Sequence, residues 1–153
     1  MFLLELCQSL DEYKINYAIV GGYAVALHGA VRGTVDIDLV VKWQLDQLIK
    51  IEQSMQKLGL VSRLPITAED LFAFKDEYVK NRNLIAWNFY HPNDASKQID
   101  VIINYKLKNQ KLVEKTINSQ TIKILNRADL IKMKQSSNRP QDLEDIKALK
   151  LIQ

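Results

Sequence analysis

Residues 17–42 read YAIVGGYAVALHGAVRGTVDIDLVVK, and the order of residue types in this stretch decides the fold. Tyr17-Ala18-Ile19-Val20 is a short apolar run of strand-forming residues. Gly21-Gly22 interrupts it and opens a helix-like segment, Tyr23 to Gly29. After Arg32-Gly33-Thr34 comes a second strand pattern, Val35 to Val41, in which two carboxylates alternate with apolar residues. Strand side chains alternate faces, so Asp36 and Asp38 are expected on one side, about 6–7 Å apart. Val35, Ile37 and Leu39 are then expected on the other side, facing a core.

Two carboxylates on one face repel each other, so the arrangement calls for a cation. Oxygen-only ligands favour Mg²⁺, which keeps several waters and borrows substrate phosphates. Gly21-Gly22 lets the backbone approach a ligand closely. The helix opening there offers free N–H groups and the positive end of its dipole, a cradle for phosphate. Metal-binding carboxylates beside a phosphate cradle point to nucleotide chemistry. Further on, Gln98 to Asn104 is a strand-like run with Asp100 amid apolar neighbours. If this run lies beside the 35–42 strand, Asp100 supplies a third carboxylate. Three such groups can bind two metal ions and orient a hydroxyl nucleophile; taken alone, Asp100 reads as a solvated residue on an exposed face.

Working outward, the 153 residues suit one domain, 1–153, with a real core. A net charge of +3 gives only weak support for a nucleic-acid partner. The basic runs Lys106 to Lys115 and Lys132 to Lys150 read as solvated helix faces rather than nucleic-acid contacts. The single Cys7 excludes an internal disulfide framework, argues for a reducing compartment, and reads as core packing rather than a catalytic thiol. The chain start lacks a signal-peptide pattern and no stretch is expected to span a membrane, so the expected location is the cytoplasm.

The periodicity predicts helices over 2–13, 22–30, 44–58, from Thr67 to about Val79, 127–136 and 140–151. Strands are expected at 16–20, 35–42, 83–91, 98–104 and 121–125, with a short one within 60–66. Thr67-Ala68-Glu69-Asp70 resembles a capping box that lacks the ideal Glu. Pro92-Asn93-Asp94 predicts a hairpin. Trp87 and Phe89 are expected on one packed face. The stretch between Lys106 and Thr121 reads as a basic, mostly polar connection. Pro140 fits the first turn of the last helix.

Gly21-Gly22, Asp36-Ile37-Asp38-Leu39 and Ile99-Asp100-Val101 together resemble the DNA polymerase β-like nucleotidyltransferase superfamily. GGYAVALHG followed by RGTVDIDLVV is similar to small members such as the AbiEii-type toxin enzymes and the lincosamide or aminoglycoside nucleotidyltransferases. The resemblance covers about residues 15–150, including the tail from Met133 to Ile146. It implies an α+β nucleotidyltransferase fold: a small mixed sheet covered by helices, with a C-terminal helical pair. It also implies transfer of a nucleoside monophosphate from an NTP to an acceptor hydroxyl, with release of pyrophosphate. Asp36, Asp38 and Asp100 match the catalytic metal ligands for Mg²⁺, two ions being implied, with Asp100 also the candidate base. Gly21 and Gly22 match the phosphate loop. Arg32 and Thr34 are placed to reach the triphosphate, although Arg32 pairing with a neighbouring carboxylate is an equal reading.

Gly22 stands where many relatives have a Ser, so a hydroxyl aimed at phosphate is absent. The chain has little room for a separate acceptor domain, so a homodimer or a partner chain is expected to complete the cleft. The acceptor is expected to be tRNA, another RNA, a protein or a small molecule, and a toxin–antitoxin role is favoured over antibiotic resistance. The alternatives are a catalytically silent nucleotide-binding or antitoxin-like module of the same fold, and a metal-dependent phosphodiesterase. His28 reads as a satisfied structural histidine, Lys80, Asn81 and Arg82 as a solvated loop. Arg139 with Asp142 and Asp145 is expected to hold the last helix against the site, or to be a plain helix-end ion pair.

Overall fold

The structure, a computed structural model, describes residues 1–152. Strands β1 (Tyr17–Val20), β2 (Ile37–Val41), β3 (Val61–Ser62), β4 (Ala86–His91), β5 (Asp94–Ile102), β6 (Leu112–Ile117) and β7 (Gln120–Leu125) form one mixed sheet in the order β3-β4-β5-β2-β1-β7-β6. The helices are α1 (Phe2–Glu12), α2 (Gly21–Leu27), α3 (Leu45–Lys57), α4 (Ala68–Ala73), α5 (Arg127–Ser137) and α6 (Pro140–Leu151). This is the expected α+β architecture, a mixed sheet covered by helices with a C-terminal helical pair. No helix among the described residues is long and apolar enough to cross a membrane.

The sheet's two faces explain the packing. Tyr17, Ile19, Ile37, Leu39, Val41, Ile99, Val101, Trp87 and Phe89 alternate onto one face and are buried. The apolar stripe of α1 (Leu3, Leu6, Cys7, Leu10) and that of α3 (Leu48, Ile51, Met55) join the same core. α1 and α3 are tied by a buried hydrogen bond between the Ser9 and Ser54 hydroxyls, 2.7 Å. Trp87 and Phe89 pack against each other with ring centroids 4.6 Å apart, as their alternation predicts. The opposite face carries Asp38, Val40, Asp100 and Asn88, and it is the face that matters for chemistry.

Several local expectations need correction. β2 begins at Ile37, so Val35 lies in the bend before it and is 60% exposed, not a core residue. The helix from Thr67 stops at Ala73 and is followed by a π-helical turn over Glu77–Asn81. The capping box at its start is complete: Asp70 N–H donates to the Thr67 hydroxyl at 3.1 Å, and the Asp70 carboxylate accepts from the Thr67 N–H at 3.2 Å. The run 106–115 is no helix. It is a loop leading into β6, an unforeseen edge strand that turns through Asn118 and Ser119 (φ 49° and 68°) into β7. Two residues at positive φ make the tight hairpin turn that matches strand twist. The Lys132–Lys150 run is helical, but Lys134 within it is buried rather than solvated.

Candidate active site

The parallel pairing of β2 and β5 sets Ile37 beside Ile99, Asp38 beside Asp100 and Leu39 beside Val101. Neighbouring strands lie about 4.8 Å apart, so the two carboxylates stand side by side on one face. β1 runs along the other edge of β2, with Val20 opposite Asp38 and Gly21 just past it. Gly21 has φ +66°, and a Cβ there would lie 2.0 Å from Asp38 Oδ2. A side chain at this position is excluded twice, by backbone conformation and by the carboxylate. The Gly-Gly break and the carboxylate strand are therefore one packed unit.

Burial pushes Asp38 up to about 7, and the negative charges of Asp100 and Asp36 add to the rise. Lys134 opposes it weakly. Asp36 sits in the bend before β2, and burial followed by the Asp100 charge raises it as well. Asp100 is oriented from the side by Asn88, opposite it on β4, whose Nδ2 donates to Asp100 Oδ1 at 2.8 Å. Arg63 Nε in turn donates to Asn88 Oδ1 at 2.7 Å. Sequence reasoning missed both residues. The available signal was Asn88 on the polar side of the Trp87–Phe89 alternation.

Arg32 and Thr34 fold back onto the glycine loop. A Cβ on Gly22 would meet the Thr34 Cβ and Oγ1 at 2.9 Å and Arg32 Cζ at 3.3 Å. Thr34 Oγ1 donates to the Asp36 carbonyl at 3.3 Å. Arg32 Nε donates to Asp145 Oδ1 at 2.9 Å, an ion pair of the kind that one of its two readings anticipates. Asp145 also accepts from Lys134 Nζ at 2.8 Å and from Gln141 Nε2 at 3.0 Å. Lys134 lies 3.5 Å from Asp142, which accepts from the Arg139 backbone and guanidinium. Asp142, Asp145 and Lys134 are all nearly fully buried. Burial alone would raise both carboxyls, but the hydrogen bonds and charges of Arg139 and Lys134 outweigh it at Asp142. Lys134, Gln141 and Arg32 do the same at Asp145, so both stay below the ordinary carboxylate range. This is more than a helix-end pair: it joins α5, α6 and the segment after α2.

A cleft of about 590 Å³ opens over these groups, bordered among others by Asp38, Asp100, Gly21, Tyr105, Lys132 and Arg139. Two neighbouring carboxylates, one with a raised affinity for a proton, suit a divalent cation, which relieves the same repulsion. Yet among the described residues no group of three or more His, Cys, Asp or Glu side chains is arranged to hold a metal ion. Asp36, in the bend before β2, lies near enough for its charge and those of Asp38 and Asp100 to interact, without the three forming a ready-made metal cluster. Asp38 and Asp100 fit an ion that takes its remaining ligands from water and phosphate, as Mg²⁺ does.

Two other polar residues fall outside the chemistry. His28 Nε2 bonds the Leu125 carbonyl at 2.8 Å, and burial lowers its pKa, as expected of a structural histidine. Burial pushes the Cys7 thiol up to about 11, leaving it unreactive.

A family model described as "Nucleotidyltransferase of unknown function (DUF6036)" matches residues 2–153. No curated protein sequence matches the chain. Among solved structures, the chain is similar to the lincosamide antibiotic adenylyltransferase LnuA at 16% identity, over 94% of this chain and 91% of that one, with a TM-score of 0.60. It is similar to an antigenic nucleotidyltransferase-like protein from Paracoccidioides brasiliensis at 19% identity, over 97% and 73%, TM-score 0.61. The antibiotic-resistance factor ANT(2'')-Ia matches at 13% identity, over 95% and 78%, TM-score 0.62. At these identities the likeness is one of fold.

Proposed function

Since the chain belongs to the family of nucleotidyltransferases of unknown function (DUF6036), we propose that it moves a nucleoside monophosphate from an NTP to an acceptor hydroxyl, with pyrophosphate leaving. The observation that carries this reading is the register that sets Asp38 beside Asp100 against Gly21, under an open cleft.

In this reading Asp38 and Asp100, with Asp36 beside them, would hold Mg²⁺, two ions being proposed; bound there, the metal would neutralise charge on the triphosphate. Gly21 and Gly22 present backbone N–H groups at the amino end of α2, where Val20 provides no side-chain cap to occupy them. Asn88 holds one oxygen of the Asp100 carboxylate, and Asp100 borders the cleft. Asp100 receives the proton of the attacking hydroxyl. Thr34 steadies the loop through the Asp36 carbonyl, and Arg32, held by Asp145, supports Gly22 rather than touching phosphate.

The finer assignments rest on chemistry and charge. A single domain over 1–153 is supported by the continuous sheet and shared core. The buried, unpaired Cys7 supports a reducing compartment and hence the cytoplasm. A macromolecular acceptor, tRNA or protein, in a toxin-like role of the AbiEii kind is favoured over an antibiotic, and a homodimer or partner chain would wall the open side of the cleft. The test is incubation with each α-labelled NTP, Mg²⁺ and total RNA, protein extract or lincosamide and aminoglycoside antibiotics. The expected result is label transfer with stoichiometric pyrophosphate, lost in Asp38→Asn/Asp100→Asn. Hydrolysis of a phosphodiester without pyrophosphate would instead identify a phosphodiesterase.

A further inference from the structure

A second cavity, of about 240 Å³, lies where β1 begins and β2 ends, bordered by Lys42, Lys108 and Lys123 with Asn16, Tyr17 and Asn109. The strand alternation places two of its lysines on the carboxylate side of the sheet. Lys42 continues the series Asp38, Val40 at the end of β2, and Lys123 stands beside Ala18 because Ile19 pairs with Ile124. Lys42 lies four positions after Asp38, about 13 Å along the strand at about 3.3 Å per residue.

Positive charge predominates here, although Lys123 Nζ also lies 5.8 Å from the Tyr17 ring centroid. No carboxylate borders the cavity, and among the described residues Lys42, Lys108 and Lys123 form no ion pair. Glu114 is opposite Lys123 across the β6–β7 hairpin but makes no salt bridge with it. Next to Lys42, the Trp43 ring carries Lys75 Nζ 4.8 Å from its centroid. Burial and the neighbouring Lys106 charge both lower the Lys75 pKa, though neither of these amines borders the cavity itself. Like charges held together without a counter-ion favour binding of an anion.

One loop joins the two places. Asn104 and Tyr105 border the cleft, and Leu107, Lys108 and Asn109 border the lysine cavity. The loop is braced: Leu107 N–H donates to the Val41 carbonyl at 3.2 Å, and Gln110 links the Lys108 N–H to the Tyr105 hydroxyl. A ligand that satisfies both ends must carry repeated negative charge over the intervening span and end in a hydroxyl at the carboxylates. A nucleic-acid strand has both properties, whereas inorganic polyphosphate lacks the hydroxyl and a flat bilayer does not enter a recess.

We propose that the Lys42–Lys108–Lys123 cavity binds the phosphodiester backbone of a single-stranded polynucleotide whose terminal hydroxyl reaches the Asp38–Asp100 cleft. Calling that strand the acceptor rests on the transfer reading above; its binding does not. The experiment is fluorescence anisotropy of a short labelled single-stranded RNA, titrated without NTP or Mg²⁺ at several salt concentrations. Lys42→Ala/Lys108→Ala/Lys123→Ala is expected to weaken binding by about tenfold or more and to flatten the log–log salt slope by about 2, at about 0.7 per lost phosphate contact. The corresponding triple Arg variant is expected to retain binding, and calorimetric NTP binding by the Ala variant to be unchanged. Asp38→Asn/Asp100→Asn is expected to keep RNA binding, so a failed transfer reaction leaves this result readable. The proposal is overturned if wild type binds no RNA, if the Ala variant binds as wild type does, or if phosphatidylserine vesicles or inorganic tripolyphosphate are bound in preference.

Discussion

Two pairs of aspartates lie at or beside the candidate cleft, Asp38 with Asp100 and Asp142 with Asp145, and they have opposite surroundings. Asp142 and Asp145 are more deeply buried, yet Lys134, Arg32 and Arg139 surround them and hold both carboxyls below the ordinary range. Asp38 and Asp100 face each other with no ion-pair partner among the described residues, and Asp38 is pushed up to about 7. The same residue type thus does two jobs within one cleft. The first pair consumes its charge internally and fastens α6 to α5 and to the glycine loop. The second keeps its charge available, at a cost to the fold that a bound cation would relieve.

The comparison breaks most easily at its paired end. Replacing Lys134 with Met strips the cation from two buried carboxylates, and a loss of about 3–5 kcal/mol in denaturant unfolding is expected. A change below 1 kcal/mol would mean that the buried pair is not a structural tie. Next in size is Gly21→Ala, where a positive φ and a 2.0 Å approach to Asp38 coincide. A destabilisation of about 2 kcal/mol together with loss of NTP binding is expected. The unpaired end responds with the opposite sign. Asp38→Asn is expected to stabilise the metal-free protein by on the order of 1–3 kcal/mol at pH 8, while abolishing metal-dependent nucleotide binding.

The pH profile sharpens the contrast further. A carboxyl whose folded pKa is raised favours the fold when protonated, a benefit fully present below its ordinary value of 3.8 and lost as pH rises through about 7. Asp142 and Asp145, with lowered pKa values, contribute stability that is present above 3.8 and lost as pH falls through their folded values. Metal-free stability from these groups is therefore expected to peak near pH 4, to decline between about pH 4 and 7 as Asp38 ionises, and to fall below pH 4 as Asp142 and Asp145 are protonated. Asp38→Asn should flatten the alkaline limb only. The smallest effect is expected of Arg139→Ala. Its side chain is 70% exposed, so the ion pair with Asp142 is worth less than about 1 kcal/mol, measured by thermal unfolding.

The unpaired end of the comparison was largely legible in the sequence, and the paired end was not. The Gly-Gly break, the alternating strand and Asp100 are short-range patterns, whereas the parallel pairing of β2 with β5 stayed conditional until the structure supplied it. What remained hidden depends on distant meetings. The Arg32–Asp145 bond spans 113 positions, and nothing local distinguishes Lys134 from the exposed lysines around it. Asp36 was placed in the strand by alternation alone, but the chain bends until Ile37, so it stands at the site's margin. β6 was missed because Leu112–Ile117 is an edge strand with little burial, leaving a weak apolar signal between polar residues. The Asn118-Ser119 turn was the cue that would have revealed it.

The most direct test of the account is calorimetric titration of each NTP, with and without Mg²⁺, into wild type and Asp38→Asn/Asp100→Asn. Micromolar binding by wild type that requires the metal and vanishes in the double variant is the predicted result. Absence of binding by folded wild type, or equal binding by the variant, would contradict the assignment of the site to this carboxylate pair.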